Sequence, residues 1–270
     1  MDVMRAGASS PDPYVFDDYA YVPGNRNTSG LTRVDPRIAA GETTATFISL
    51  GQSNSPGASF VDTPYVPTHP TKVQMLNVYD GGVYLAADPL LGQNGITGNW
   101  LTRTADKLIT AGKYQRIIAA SVSMGGSAAA TWQQGAALYP RALAVAKRCA
   151  AVGLPVTGFI WHQGESDNTF GTTSAAYQAS VNSLIAGLRA AGFTSPWLIC
   201  KASYISGAVS ATIQGAQDAL VNIGQQIYAG PNTDTLTGTS VNRQADNTHF
   251  KAAGADAAAA LLSTAIQAAL

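Results

Sequence analysis

A serine, a histidine and an aspartate in this chain are placed where they could do nucleophilic chemistry. Ser53 follows the apolar run Thr46-Phe47-Ile48-Ser49-Leu50, just after Gly51-Gln52 and before Asn54-Ser55. A serine hydroxyl is a weak nucleophile until an imidazole takes its proton. The chain has three histidines, His69, His162 and His249, and His249 follows Asp246 by three residues. That spacing can bring a carboxylate to Nδ1 of the imidazole, fixing the tautomer so that Nε2 faces the serine. Each piece also has a purely structural reading. Ser53 or Asn54 can serve a turn, and an Asp-Asn-Thr stretch before a helix can be its N-terminal cap.

Acyl transfer also needs donors for an oxyanion. The backbone N–H of Ser53 is one candidate, at a sharp turn expected to lead from strand to helix. Gly126 is a second, because without a Cβ its N–H can approach a substrate closely. The side-chain amide of Gln163 is a third. Gly98 competes with Gly126 for the role. Glu165 and Asp167 raise a rival chemistry, the carboxylate pair of glycoside hydrolysis, but that reading leaves Asp246 and His249 without a task. His69 lies between Thr68 and Pro70 and reads as a loop residue. Cys149 and Cys200 sit in apolar segments and read as buried free thiols. No spacing suggests a metal site, and the chemistry needs no cofactor.

These residues must be carried by elements, and the pattern supplies them. Apolar runs over 45–50, 116–124, 155–161 and 196–202 read as strands, with shorter ones at 73–79 and 226–229. Between them, helical spacing predicts helices over 99–111, 141–151, 175–191 and 213–223, and an alanine-rich helix closes the chain. Strands alternating with helices predict a parallel sheet covered on both faces. Four polar or glycine clusters follow strands or close the last loop: Gly51–Asn54, Gly125–Ser127, His162–Asp167 and Asp246–His249. In such a sheet they converge on the edge where strand carboxyl ends open.

Composition narrows the partners. The 16 basic and 16 acidic residues cancel, which excludes the basic surface of a nucleic-acid binder. Polarity resides in Ser, Thr, Asn, Gln and Gly, which suits neutral, hydroxyl-rich ligands. No run is long enough for a transmembrane helix, so no membrane partner is expected. No apolar stretch follows Arg5, so a cytoplasmic location is the default expectation, with an exported mature chain left open. Residues 1–40, rich in Pro and aromatics, read as an irregular arm that packs on the domain or on a partner chain, a second copy included. Residues 41–270 read as one domain.

Together the four clusters resemble the SGNH (GDSL-like) hydrolase superfamily, in its branch of carbohydrate acetylesterases that includes sialate O-acetylesterases and acetyl xylan esterases. Gly51-Gln52-Ser53-Asn54 is similar to that branch's nucleophile motif, and Gly125-Gly126-Ser127 to its second. Trp161-His162-Gln163-Gly164-Glu165-Ser166-Asp167 is the most specific match, and Asp246-x-x-His249 resembles the last motif. The resemblance implies a three-layer α/β/α sandwich, SGNH/flavodoxin-like, around a mostly parallel, roughly five-stranded sheet. It implies Ser53 as nucleophile, His249 as base and Asp246 as its orienting acid. Ser53, Gly126 and Gln163 would form the oxyanion hole, with Gln52, Asn54 and Glu165 as supporting or substrate-binding residues. The elbow Gly-x-Ser-x-Gly of α/β-hydrolases is not met, because Ser55 stands at its second glycine.

The expected activity is a serine esterase removing short acyl groups, acetyl above all, from a carbohydrate, with the acetylated carbohydrate as its partner. Two alternatives stand beside it. A non-catalytic carbohydrate-binding module on the same fold would not need a base, and a lipase or thioesterase would need a long apolar lining.

Overall fold

The computed structural model describes residues 24–270. The first 23 residues of the expected arm lie outside the described residues. Among the described residues eight strands form one sheet: β1 (Arg33–Val34), β2 (Thr44–Gly51), β3 (Val73–Leu76), β4 (Val83–Leu85), β5 (Arg116–Ser121), β6 (Gly158–His162), β7 (Trp197–Lys201) and β8 (Ile227–Asn232). Their order is β1-β4-β3-β5-β2-β6-β7-β8. The run from β3 to β8 is parallel throughout, and β4 and β1 add an antiparallel margin. The mostly parallel α/β sandwich read from the sequence is therefore the fold, with a wider sheet. β1 and β4 escaped the pattern because two or three residues carry no periodicity.

Strand boundaries follow local chemistry. β3 stops at Leu76 because Gly81 and Gly82 turn the chain back into β4. β8 includes Pro231, which has no N–H to donate; as the last strand of the sheet, β8 has an edge where that is tolerated.

Among the described residues six α-helices flank the sheet: α1 (Leu101–Thr110), α2 (Tyr139–Ala151), α3 (Glu165–Phe170), α4 (Ser174–Ala190), α5 (Ala211–Leu220) and α6 (Ala252–Ala269). Side chains alternate across a strand, and here each set finds its own core. Ile48, Leu50, Ile118, Ala120, Phe159, Trp161, Trp197 and Ile199 pack with α2, α4 and α5. Ala45, Phe47, Ile117, Ala119, Ile160 and Leu198 pack with α1 and α6 on the other face. Both faces being apolar, these strands read as continuous hydrophobic runs.

The sheet also fixes where a ligand can sit. From β2 the chain goes first to β3 and β5 on one side, then crosses to β6, β7 and β8 on the other. The carboxyl end of β2 is thus the switch point, where the loops on its two sides part and leave a crevice. Ser53 lies two residues beyond it.

Candidate active site

Gly51 ends β2 with φ +131, and a Cβ there would collide with the backbone carbonyl of His162 on the neighbouring strand. Only glycine permits that turn. The chain then folds on itself, with Ser55 N–H donating to Gln52 O at 2.9 Å and Ala58 N–H to Ser55 O at 3.0 Å. No helix follows directly; α1 starts only at Leu101, so the expected strand-to-helix turn is a strand-to-loop turn. Trp100 ties the two together through Nε1–H to Asn54 O at 3.0 Å. Ser53 is left at the rim of the crevice, 9% exposed.

The Asp246–His249 loop meets this turn from the far end of the chain. Nδ1–H of His249 donates to Asp246 Oδ2 at 2.6 Å, and the Ser53 hydroxyl donates to His249 Nε2 at 2.8 Å. The other carboxylate oxygen, Oδ1, accepts the backbone N–H groups of Thr248 at 2.9 Å and His249 at 3.0 Å. Asp246 thus does two things, one oxygen building the turn and the other holding the imidazole. The helix cap is not formed: the last helix starts at Ala252 with Lys251 as its N-cap, whose side chain makes no capping bond. Burial pushes the Asp246 carboxyl up, but these hydrogen bonds outweigh it and hold the group below the ordinary carboxylate range. A carboxylate that stays ionised is what fixes the Nδ1–H tautomer.

Backbone donors are available at two of the expected places. Gly126 lies on the exposed tip of a turn at φ +72. That turn is anchored by Met124 N–H to Gly51 O at 2.9 Å and by Gly125 N–H to Asn94 Oδ1 at 3.2 Å. Among the described residues neither the Gly126 N–H nor the Ser53 N–H has an acceptor. Gly98 is different: its N–H donates to Val61 O at 2.9 Å, so it has none to offer.

Gln163 departs from expectation. Its side chain is fully buried, and its amide nitrogen faces Gln52 Oε1 at 3.1 Å, Ser127 O at 3.0 Å and Asp167 Oδ2 at 2.6 Å. Two hydrogens already serve three acceptors, so this arrangement presents no free donor to the crevice. Gln163 instead joins the loops behind the site. Gln52 belongs to the same layer, its Oε1 also accepting Ser166 N–H at 3.0 Å.

Asn54 and Glu165 form a second internal connection. Asn54 Nδ2 donates to Glu165 Oε1 and to Thr248 O, both at 3.1 Å. Glu165 accepts Gly164 N–H on its other oxygen at 3.2 Å, and burial raises its carboxyl to about 7. Asp167 is equally buried and accepts Ala129 N–H at 2.8 Å. Neither carboxylate reaches the surface, which removes the pair as a glycoside-cleaving couple. His162 donates or accepts at Thr233 Oγ1 over 2.8 Å, and burial pushes it down to about 3, leaving it neutral inside the core. His69 sits apart, on Asp106 at 2.9 Å.

Some contributors carried no sequence signal. Phe60 stacks on the His249 ring, with centroids 5.5 Å apart and planes at 18°. Arg243 is buried between Tyr204 and Phe250 and donates to Thr248 O at 2.7 Å, Thr233 O at 2.9 Å and Leu236 O at 2.6 Å. It holds the histidine loop from behind, and burial lowers it to about 10. Among the described residues no group of His, Cys, Asp and Glu could hold a metal ion. None of the described helices is long and apolar enough to cross a membrane.

A hydroxyl hydrogen-bonded to an oriented imidazole, beside two unpaired backbone N–H groups, is an arrangement suited to acyl transfer. Residues 43–268 match the SASA family, described as carbohydrate esterase, sialic acid-specific acetylesterase. The chain belongs to this family. It is thereby an SGNH-superfamily hydrolase of the esterase and acylhydrolase kind. Solved structures share the fold. A protein from Arabidopsis thaliana superposes with a TM-score of 0.66 at 18% identity, over 84% of this chain and 98% of its own. NanS does so at 0.53 and 14%, over 85% and 97%. A carbohydrate acetylesterase from Xanthomonas citri does so at 0.55 and 16%, over 83% of this chain and 56% of its own. No curated protein matches the chain.

Proposed function

We propose that this member of the family is a serine esterase that removes short acyl groups, acetyl above all, from a carbohydrate through an acyl-Ser53 intermediate. The observation that carries the reading is the continuous hydrogen-bonded line from Ser53 through His249 to Asp246. Ser53 Oγ attacks the ester carbonyl as its proton passes to His249 Nε2. The oxyanion that forms is held by the backbone N–H groups of Ser53 and Gly126, each donor worth about 3–4 kcal/mol in the transition state. Collapse expels the sugar alkoxide, which takes the proton from His249 and leaves an acetyl ester on Ser53. Water, deprotonated by the same imidazole, attacks that ester, releases acetate and restores the serine.

Phe60 favours a short acyl group. Its ring covers one face of His249, and its Cζ lies only 3.2 Å from where a Cβ on Gly125 would stand. The space beside Ser53 is therefore closed between base and oxyanion turn. A binding module would gain nothing from an imidazole held in this tautomer. The test compares p-nitrophenyl acetate, p-nitrophenyl octanoate and a mono-O-acetylated sugar. Acetate release from the first and third, with the octanoate slow, is expected. A preference for octanoate would point to a lipase or thioesterase, and no turnover of any ester would point to the module.

A further inference from the structure

Gln163, the expected third oxyanion donor, turns away from the crevice, but one of the residues it turns to stands directly before the nucleophile. That residue, Gln52, is firmly placed. Its backbone N–H donates to His162 O at 3.3 Å, and the preceding Gly51 O accepts Met124 N–H at 2.9 Å. Its side-chain oxygen is occupied as well: Oε1 accepts Gln163 Nε2–H at 3.1 Å and Ser166 N–H at 3.0 Å. Because both partners are donors, they settle which end of the Gln52 amide is oxygen and which is nitrogen.

The oxygen is drawn into the layer behind the site, which leaves the nitrogen on its other side. Among the described residues Nε2 has no acceptor, and it is not shut away from solvent as Gln163 Oε1 and both Gln93 amide atoms are. Gln52 as a whole is only 3% exposed, so this opening is narrow. It adjoins both backbone donors. Ser53 is the next residue, and the Gln163 nitrogen that holds the Gln52 oxygen also reaches Ser127 O at 3.0 Å, one residue past Gly126. Accepting two hydrogen bonds on its oxygen polarises an amide and makes its N–H a better donor. A carboxylate here could accept the same two bonds but would oppose a developing oxyanion, and an alkyl side chain could neither accept nor donate. Glutamine accepts from within and donates outward.

We propose that Gln52 Nε2–H is the third donor of the oxyanion hole, closing on the ester oxygen together with the backbone N–H groups of Ser53 and Gly126. As Ser53 Oγ bonds the carbonyl carbon, the carbonyl π pair moves onto that oxygen, and Nε2–H holds the charge without passing a proton. Gln163 is then the residue that orients Gln52, not a donor to substrate. The inference rests on the esterase reading above and deepens it.

The test compares wild type with Gln52→Glu, which keeps an acceptor for Gln163 and Ser166 but has no amide donor, and with Gln52→Met, which keeps the bulk and has neither. Both variants should lose about 100-fold in kcat on p-nitrophenyl acetate, with KM within about threefold of wild type, as for the loss of one oxyanion donor. A trifluoromethyl ketone, which an activated serine converts to a hemiketal alkoxide, should lose affinity by the same factor. If Gln52 only orders its neighbours, Gln52→Glu keeps the wild-type kcat and ketone affinity, and that result overturns the inference. A direct measurement needs no variant to fold. A crystal structure of the wild-type ketone adduct should place Nε2 about 2.7–3.1 Å from the hemiketal oxygen, and a separation above about 3.5 Å overturns the inference. Wild type that neither hydrolyses a short ester nor forms the adduct would defeat the esterase reading itself, and this inference with it.

Discussion

Asn54 and Glu165 stand 111 residues apart in sequence and meet in the buried floor of the site, Nδ2 to Oε1 at 3.1 Å. The same Asn54 nitrogen reaches Thr248 O at 3.1 Å, in the loop that carries His249. One side chain thus links the serine turn, the Trp161–Asp167 segment and the histidine loop. Its neighbour Ser53 needs that link, because a base displaced by a fraction of an ångström takes a proton poorly.

Asn54→Ala should therefore lower kcat more than it raises KM, by about 10- to 100-fold, and cost about 1–3 kcal/mol of stability. Steady-state kinetics on p-nitrophenyl acetate and a thermal melt measure both. A variant with the wild-type kcat would make Asn54 a turn-former alone.

Glu165 gives a pH signature. Its carboxyl is raised by burial from 4.5 to about 7, so the folded chain keeps a proton that the unfolded chain releases at lower pH. The stability this contributes is complete below the unfolded value. It is lost as pH rises toward about 7, and amounts to something on the order of 3 kcal/mol. Glu165→Gln has no such loss, so its Tm minus that of wild type should climb by several degrees between pH 4.5 and 7 and then level off. His162 titrates in both proteins and cancels in the difference. A difference that stays flat across this range would mean that Glu165 keeps an ordinary pKa.

Phe60 closes the space between His249 and Gly125. Phe60→Ala should raise the ratio of kcat/KM for p-nitrophenyl butyrate over acetate by about tenfold, the scale of a methylene or two in an apolar pocket. An unchanged ratio would remove Phe60 from the control of acyl size.

The sheet and the two ends of the Ser53–His249 pair were legible in the sequence for one reason. Apolar strands buried on both faces give way abruptly to polar residues at their carboxyl ends. α3 was hidden because Glu165, Ser166 and Asp167 turn inward, so a helix made of them has no apolar stripe. Arg243 was hidden because its partners are the carbonyls of Thr233, Leu236 and Thr248, which any residue could supply. Phe60 acts by stacking on a ring nearly 190 residues away, and Gln163 could not be judged until its three acceptors were located. The sequence favoured Gly126 over Gly98 only because Gly126 follows a core strand directly. The structure adds a second reason, because Val61 O takes the N–H of Gly98.

The central claim is that Ser53 becomes acylated. Incubating the enzyme with a p-nitrophenyl alkylphosphonate, which leaves a stable adduct on an activated serine, and mapping the product by peptide mass spectrometry tests this directly. The account predicts one phosphonyl group per chain on the peptide containing Ser53, with esterase activity lost in proportion and no adduct in Ser53→Ala or His249→Ala. Activity that survives full labelling of Ser53, or an adduct on another residue that tracks the loss, would contradict it.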